Sequence, residues 1–305
     1  MVVLLQALFS GLALGGIYSL IAVGFNITHG TTRTFNFGQG EFLVAGAFVA
    51  VSGLLLIAGK GLNDPLDPAD VTPMVYAVSL VAGTLVTAVL GVVLYFTAVR
   101  PFAGRPGLAW VMSTIGFGIL VQNTALAIWG PSPVPMPSPL GSEVIRVGGA
   151  GFVPQEILVL AVSVTVLVGL DVVMRRTRIG KAMRAVAENR NAATLMGIDV
   201  SAVVVGAFVL SSAFAGLAGL LVAPITTASV YMGLALALKA FSAAIVGGLD
   251  NPRGCMLGGF LMGLLEALVG LWHAELREIA IFLLIIVVLA VKPEGLLGRK
   301  RVVKV

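Results

Sequence analysis

The chain has 305 residues, of which 58% are hydrophobic and only 11% are charged, and its mean hydropathy is +1.06. A soluble domain carries roughly 25% charged residues because its surface must be solvated, so this composition excludes a soluble enzyme and a disordered chain. The single cysteine, Cys255, excludes a disulfide scaffold. The composition therefore predicts a polytopic membrane protein of the all-α class. The net charge of +5 is then a property of its loops and no sign of nucleic-acid binding.

Apolar segments long enough for a membrane helix recur along the whole chain. Each crossing needs about 20 residues. No basic residue precedes the first segment, so we interpret it as a retained span and not as a signal peptide. The pattern predicts a transmembrane helical bundle of about eight or nine spans, in a single domain over residues 1–305. The segments cover residues 4–25, 40–59, 72–98, 108–129, 155–174, 200–223, 235–250, 254–273 and 278–292.

A polar stretch flanked by glycines leads into the second apolar segment. It contains Asn36, Gln39 and Glu41, beside Gly38 and Gly40. Such an entry predicts a discontinuous helix whose free backbone groups line a water-filled path. In the alternative interpretation, the Glu41 carboxylate is simply stabilised by the positive end of the helix dipole.

The distribution of basic residues predicts the orientation of the chain. Fifteen of the 19 Lys and Arg residues fall in one set of alternate connections and the C-terminal tail, and three fall in the other set. Because basic loops stay in the cytoplasm, we expect the N-terminus outside, the C-terminus in the cytoplasm and an odd number of spans. The segment 235–250 is short, and a re-entrant path there would reverse everything after it.

Two connections on the predicted outer side have a distinct composition. Residues 63–70 are acidic and contain two prolines, and residues 131–139 alternate proline with other residues. Alternating proline favours an extended, stiff backbone. This second connection is either a rigid loop between two helices or a docking surface for an external partner.

Residues 175–199 form a polar, helix-compatible segment between two apolar ones. Alanines favour a helix, apolar residues recur every three or four positions, and Gly197 is a natural helix stop. We expect one short amphipathic helix on the cytoplasmic face. It could lie on the lipid surface, act as a basic anchor, or dock into a groove of a cytoplasmic partner. Partner docking is favoured by Glu188 and Asn189 and by the lack of bulky aromatic residues. The apolar stripe comprises Met183, Val186, Ala187, Ala193 and Met196.

Two charged residues, Lys239 and Glu266, interrupt apolar segments near the C-terminal end. An unpaired charge within a membrane costs at least about 2.5–3.5 kcal/mol, so we expect the two to pair, although Lys239 could instead extend toward the interface. His29 and His273 have no metal-ligand spacing around them. No nucleophile and base share a plausible cleft either, so we expect neither a metal site nor an enzyme.

Several motifs resemble those of branched-chain amino-acid ABC transporter permeases of the LivH type. Residues 180–199 resemble the coupling motif of that family, a divergent form of the EAA loop of importer permeases. Residues 36–42 resemble its N-F-A-H-G-E-F motif, except that Gly38 and Gln39 replace Ala and His. Residues 238–259 resemble a K-A-F-x-A motif followed by paired glycines, and residues 120–123 match L-x-Q-N. The ending at residues 292–298 is also similar, so the resemblance covers nearly the whole chain.

This resemblance implies one membrane subunit of an ATP-driven importer in a bacterial inner membrane. Its partners would be a second permease subunit, two cytoplasmic ATPases and an external solute-binding protein. The chain holds no phosphate-binding loop, because Gly180 and Lys181 are followed by Ala182. ATP would therefore be bound by the partner subunits, and we expect no cofactor in this chain.

The resemblance also assigns candidate functional residues. Relatives carry leucine-type or other amino acids, amides, urea or aromatic acids, so the substrate stays open within that range. A stand-alone secondary transporter or channel that uses Glu41, Lys239 and Glu266 is the alternative. The translocation pathway candidates are Asn36, Gln39, Glu41, Gln122 and Asn123. The candidate ATPase-coupling residues are Gly180, Lys181, Arg184, Glu188, Asn189, Ala192, Ala193 and Gly197.

Overall fold

The computed structural model describes residues 2–62, 64–102, 108–141, 143–147 and 150–298. Asn63 of the acidic connection lies outside the described residues. So do five basic residues used in the orientation argument, namely Arg105, Arg299, Lys300, Arg301 and Lys304.

All nine apolar segments form helices, which confirms the predicted fold class. Seven of these helices are long and apolar enough to cross a membrane, and the helix Met232–Gly247 is apolar but shorter. The chain is therefore a multi-pass membrane protein. The helices are α1 Val2–Thr32, α2 Gln39–Ile57, α3 Pro73–Leu94, α4 Ala109–Trp129, α5 Pro154–Arg176, α6 Arg178–Glu188, α7 Arg190–Leu195, α8 Val200–Thr226, α9 Met232–Gly247, α10 Pro252–Trp272 and α11 Arg277–Val291.

Short elements complete the connections. α3 continues as a π-helical turn, Tyr95–Val99, and a 3-10 turn, Arg100–Phe102. Two strands, β1 Ile145–Val147 and β2 Ala150–Phe152, pair antiparallel in the connection before α5. Further 3-10 turns are Pro68–Asp70 and Ala274–Leu276.

Two predicted helix boundaries were wrong. α1 continues seven residues beyond residue 25. The hydroxyls of Thr28, Thr31 and Thr32 donate to carbonyl oxygens one turn earlier, so these polar side chains find hydrogen-bond partners within the helix. α9 ends at Gly247 and not at residue 250, because Gly248 adopts φ 106°. The last carbonyl groups of α9 then accept bonds from the tail (Leu296 N to Val246 O, 2.8 Å).

The two ends of the bundle differ in charge. At one end, Arg33 follows α1, Arg175 lies at the end of α5, Arg184 lies on α6 and Arg253 begins α10. We call this end the basic face. The opposite face holds the connections after α2 and α4, where Lys60 bonds to the carboxylates of Asp67 and Asp70, at 2.6 Å each. The strictly alternating proline connection is also tied down there, through paired backbone bonds between Val134 and Ala228.

The most extensive contact between two helices is that of α1 with α10, which run antiparallel. A Cβ atom on Gly263 would clash with the backbone of Gly15, and one on Gly259 would clash with Ser19. Small residues at these positions let the two helix backbones approach each other in lipid, where van der Waals packing drives association.

Replacing Gly263 by alanine should therefore lower the thermal unfolding midpoint in detergent, because overpacking of this kind costs about 1–3 kcal/mol. Gly169→Ala on α5 is the matched control, since a Cβ atom there meets nothing within 4 Å. This control should be neutral or slightly stabilising, because alanine is favoured over glycine in a helix by about 1 kcal/mol. Equal midpoints for the two variants would contradict the packing argument.

Candidate functional site

The helix α2 begins inside the bundle and not at its end. Its first residue, Gln39, lies against Gly24 of α1, where an added Cβ would be 2.7 Å from the Gln39 amide nitrogen. Gly24 is two turns before Thr32, the last residue of α1, or about 12 Å along the axis at 1.5 Å per residue. Residues 33–38 are not helical and return along α1 to reach this level. The non-helical segment is thus the connection between α1 and α2, and α2 itself is unbroken from Gln39 to Ile57.

Asn36 and Gln39 hold this non-helical segment in place. The Asn36 side chain donates to Gln39 Oε1 (3.2 Å) and accepts from Gly38 N (3.1 Å). The Gln39 amide donates to Ser211 O (2.9 Å), and the Ser211 hydroxyl donates to Gln39 Oε1 (3.0 Å). Asn36 and Gln39 are 1% and 0% exposed. In this conformation their side chains fix the start of α2 against α8 and face no open space.

The first turns of α2 and α9 meet at two glycines. A Cβ atom on Gly40 would lie 2.6 Å from Gly233 O, and one on Gly233 would lie 2.5 Å from Gly40 O. Neither helix has a side-chain N-cap bond. We call this contact the α2–α9 junction. Two helix N-termini, each the positive end of a dipole, thus converge within the bundle.

Glu41 lies next to this junction and faces α4. Its Cγ would be 3.3 Å from a Cβ atom on Gly118, halfway along α4, and one of its carboxylate oxygens is buried without a hydrogen-bond partner. Gln122 is one turn beyond Gly118 on the same face of α4. Asn123 lies elsewhere on α4, is exposed, and donates within its own helix to Ile119 O at 2.8 Å. The structure therefore brings Glu41 and the Gln122 face of α4 together, but not Asn123.

Aromatic side chains cover the other side of the junction. Phe37, 39% exposed, packs against Phe35 and Phe241 with ring centroids 6.3 and 6.1 Å away. His29 stacks on Phe35 at 4.5 Å. This cluster is an apolar, partly open surface, and sequence reasoning missed it because its members come from three separate segments.

Lys239 and Glu266 form a bonded network with a third residue. Lys239 Nζ lies 2.7 Å from Glu266 Oε1, and the Tyr18 hydroxyl donates to Glu266 Oε2 at 2.6 Å. The side chains of Lys239 and Glu266 are 16% and 10% exposed. Glu278 at the start of α11 lies 4.0 Å from the same lysine. The network joins α9 and α10 to α1, so the intramembrane charges are paired and do not face lipid alone.

Residues 175–199 form two helices, so the expectation of one amphipathic helix was wrong. Asn189 adopts an extended conformation (φ −153°, ψ 106°), ends α6 and caps α7 by accepting from Ala192 N at 3.0 Å. Met183, Val186 and Ala193 are buried against the bundle. Met196 is 82% exposed and so does not share their stripe.

The remaining coupling candidates divide into buried and exposed residues. Gly180 is buried, because α6 passes so close to Met174 of α5 that a Cβ atom would clash with its backbone. Gly197 adopts φ 80° and ends α7 in a Schellman motif, with Ile198 N bonded to Ala193 O. The exposed candidates are Lys181, Arg184, Glu188, Asn189, Ala192 and Gly197.

Arg33, which no sequence motif singled out, ties α6 to the rest of the bundle. Its guanidinium donates to Ala187 O near the end of α6 (2.7 Å) and lies 3.1 Å from Asp250 Oδ1 in the connection between α9 and α10. Within the described ranges, no group of three or more His, Cys, Asp or Glu residues could hold a metal ion.

The sequence profile of a family described as branched-chain amino acid transport system / permease component matches residues 7–289. The chain belongs to this family. The high-affinity branched-chain amino acid transport system permease protein BraD of Pseudomonas aeruginosa is 31% identical over 99% of this chain and 98% of its own length. The corresponding protein LivH of Escherichia coli is 30% identical over 99% of this chain and 97% of its own length. The D-allose transport system permease protein AlsC of Escherichia coli is 27% identical over 74% of this chain and 69% of its own length.

These matches confirm the resemblance to LivH-type permeases, and the relatives are named as transport permeases and not as enzymes. In this family member, the motif at residues 36–42 is the start of α2, the K-A-F motif lies on α9, and the coupling motif spans α6 and α7. The motifs that carry the resemblance therefore coincide with the α2–α9 junction and the basic face.

The bonded network predicts a specific pattern of mutant stability. Lys239→Met and Glu266→Gln should each lower the thermal unfolding midpoint of the purified permease, because removing one member of a buried pair costs about 3–5 kcal/mol. The double variant should be less damaged than the sum of the two single variants, since no uncompensated charge remains. Lys60→Met, which breaks two ion pairs in a connection at the protein surface, is the control and should have little effect. Additive effects at Lys239 and Glu266 would show that the two residues do not stabilise each other.

Proposed function

We propose that this chain is a membrane-spanning permease subunit of an ATP-driven importer for branched-chain or related amino acids. The observation that carries the proposal is its match, over nearly the full length of both chains, to permeases named for branched-chain amino acid transport. In the proposed complex, a second permease subunit completes the pathway, two cytoplasmic ATPases bind and hydrolyse ATP, and an external binding protein delivers the amino acid. The basic face lies in the cytoplasm of a bacterial cell, with the N-terminus outside.

The proposed contact with the ATPases is the end of α7. Leu195 and Met196 are 88% and 82% exposed, whereas Met183 and Val186 of α6 are turned into the bundle. Two large apolar side chains at an exposed helix end, surrounded by polar residues, are typical of anchors that insert into a partner's groove. In the proposal, α6 transmits this contact inward, because it packs on α5, α1 and α8.

The proposed substrate path passes beside the α2–α9 junction. Glu41 supplies a carboxylate with one unpaired oxygen, which suits the ammonium group of an amino acid, and Phe37 supplies an apolar surface for its side chain. Gln122 lies further along the same side of α4. The two buried amides, Asn36 and Gln39, then act as supports of the path and not as its lining.

The open face of α4 supports a second permease subunit. Only three residues of α4, Thr114, Gly118 and Ala125, are buried in this chain. Asn123 and Thr124 are exposed. Polar side chains within a membrane face a protein or an aqueous cavity in preference to lipid, so this face suits the partner permease or the path between the two subunits.

The alternative of a stand-alone transporter requires Glu41, Lys239 and Glu266 to act in one relay. Both oxygens of Glu266 are already bonded, to Lys239 and Tyr18, whereas Glu41 faces α4. This geometry favours separate roles, in which Lys239 and Glu266 hold the helices together and only Glu41 is positioned to meet a substrate.

If the end of α7 contacts the ATPases, Leu195→Asp combined with Met196→Asp should reduce transport at least tenfold in the reconstituted complex. Binding-protein-stimulated ATP hydrolysis should fall by a similar factor. Loss of a buried interface anchor costs about 2 kcal/mol or more, and 1.4 kcal/mol is tenfold. Leu62→Asp, an exposed leucine on the opposite face, is the matched control and should transport normally. Normal transport and ATP hydrolysis in the double variant would show that α7 does not form the contact with the ATPases.

Gly197→Val is a less direct test of coupling than these two substitutions. At φ 80°, a residue with a Cβ atom is strained by roughly 1–2 kcal/mol. Loss of transport in that variant would therefore combine a changed backbone with a changed contact. Glu188→Trp, at an exposed position, keeps the backbone and should uncouple hydrolysis from transport if α6 also touches the ATPase.

For the substrate path, we expect Glu41→Gln to reduce the uptake of leucine by reconstituted vesicles at least tenfold while leaving assembly with the ATPases intact. The reason is the loss of the negative charge that attracts the ammonium group in the proposed path. Glu275→Gln, an exposed carboxylate outside the bundle, is the control. Uptake competition by valine, isoleucine and D-allose identifies the substrate class in the same assay. Unchanged leucine uptake by Glu41→Gln would exclude a role of this carboxylate in the path.

A further inference from the structure

A cleft opens between α5, α6 and the start of α10, just below the basic face. Its upper cavity, about 230 Å³, is lined by Arg175, Arg184 and Arg253. Its lower cavity, about 240 Å³, runs between α5 and α10. The two cavities share Asp171, Arg253 and Met256 in their walls, so they adjoin. We call them together the α5–α10 cleft.

The upper cavity is lined by the three arginines and by three carboxylates, Asp171, Glu188 and Asp250. Asp250 is paired with Arg33, which lies outside this lining, so two carboxylates remain to balance the three guanidinium groups. Asp171 accepts two bonds from Arg253, at 2.8 Å each, and lies 3.4 Å from Arg175 Nε. One carboxylate therefore orients two guanidinium groups and neutralises only one of them. Arg184 adds a third guanidinium, of which only the Nε is bonded among the described residues, weakly, to Gly180 O at 3.4 Å. Fork-shaped guanidinium groups with free donors are suited to phosphate oxygens.

The lower cavity is apolar and lies on the outside of the bundle. Val164, Leu167 and Val168 line it from α5, and Met256 and Phe260 line it from α10. Val164 and Val168 are 41% and 58% exposed. In a multi-pass membrane protein, an apolar groove of this kind that ends at a cluster of arginines matches the shape of a lipid, with its chain beside its charged headgroup.

We propose that the α5–α10 cleft binds one anionic phospholipid. Its phosphate is held by Arg175 and Arg184, and one acyl chain lies along Val164, Val168 and Phe260. Because Arg184 belongs to α6, the lipid joins the coupling segment to α5 and α10. Neither a free phosphate nor a nucleotide would fill the apolar half of the cleft, which is why a basic cavity beside an apolar one points to a lipid.

The test is lipid binding by the purified full-length protein in a neutral detergent, measured by native mass spectrometry and by the shift in thermal unfolding midpoint. We expect phosphatidylglycerol to bind and raise the midpoint, and phosphatidylcholine and inorganic phosphate to do neither. Arg175→Gln combined with Arg184→Gln should weaken phosphatidylglycerol binding at least tenfold. Arg190→Gln, an exposed arginine of α7 outside the cleft, is the matched control and should bind as the unchanged protein does.

A second variant tests the apolar half and does not depend on the arginines. Val168→Trp places a large side chain in the groove at an exposed position, so it should fold normally and still weaken phosphatidylglycerol binding at least tenfold. Binding that is equal for phosphatidylglycerol and phosphatidylcholine, or unchanged in both cleft variants, would overturn the proposal. Stabilisation by inorganic phosphate alone would also overturn it, in favour of a simple anion site. None of these outcomes depends on transport, so the proposed function is tested separately.

Discussion

Backbone groups that leave a helix inside a membrane protein need partners within the protein, because lipid supplies none. The turn before α2 depends on this constraint. The side-chain amide of Asn36 takes up the N–H group of Gly38, and Gln39 joins the same cluster to Ser211 of α8. Asn36 thus supplies a partner to one backbone group of the turn, and Gln39 anchors the turn to α8. The depth at which α2 begins follows from them, and so do the approach of Gly40 to α9 and the place of the Glu41 carboxylate.

The second organising feature is the way in which a short helix is held among long ones. α9 has 16 residues, or about 24 Å at 1.5 Å per residue, less than the roughly 30 Å of a bilayer core. It is fixed at its start by Gly233, in its middle by the bond from Lys239 to Glu266, and beyond its end by Asp250. A buried ion pair adds little net stability but specifies which surfaces meet. The register of α9 against α10 is therefore set by charge as well as by glycine packing.

Composition and spacing predicted the helices, because apolar segments of about 20 residues have few other structures open to them in lipid. They also indicated that Lys239 and Glu266 need partners. Tyr18 could not be found in this way, since it lies 248 positions from the carboxylate it binds and nothing local marks it. The break at Asn189 had a local signal, because asparagine is a favoured N-cap residue. The apolar periodicity nevertheless continues through Asn189, so it predicted a single helix. It also wrongly placed the exposed Met196 on the buried stripe. The sequence alone could not predict the cleft beside α5, because the arginines that line it come from three different helices.

The bonds between the tail and α9 set an order of events during synthesis. The carbonyl groups of Val246 and Gly247 accept from the N–H groups of Leu296 and Leu297, almost at the end of the described chain. A ribosome releases these donors after every membrane helix of the described chain has been made. Until then, the final turn of α9 must hydrate its carbonyl oxygens or remain frayed. The end of α9 thus reaches its finished form only after residue 297 has been released, and a chain that stops before residue 296 lacks the donors that close this helix.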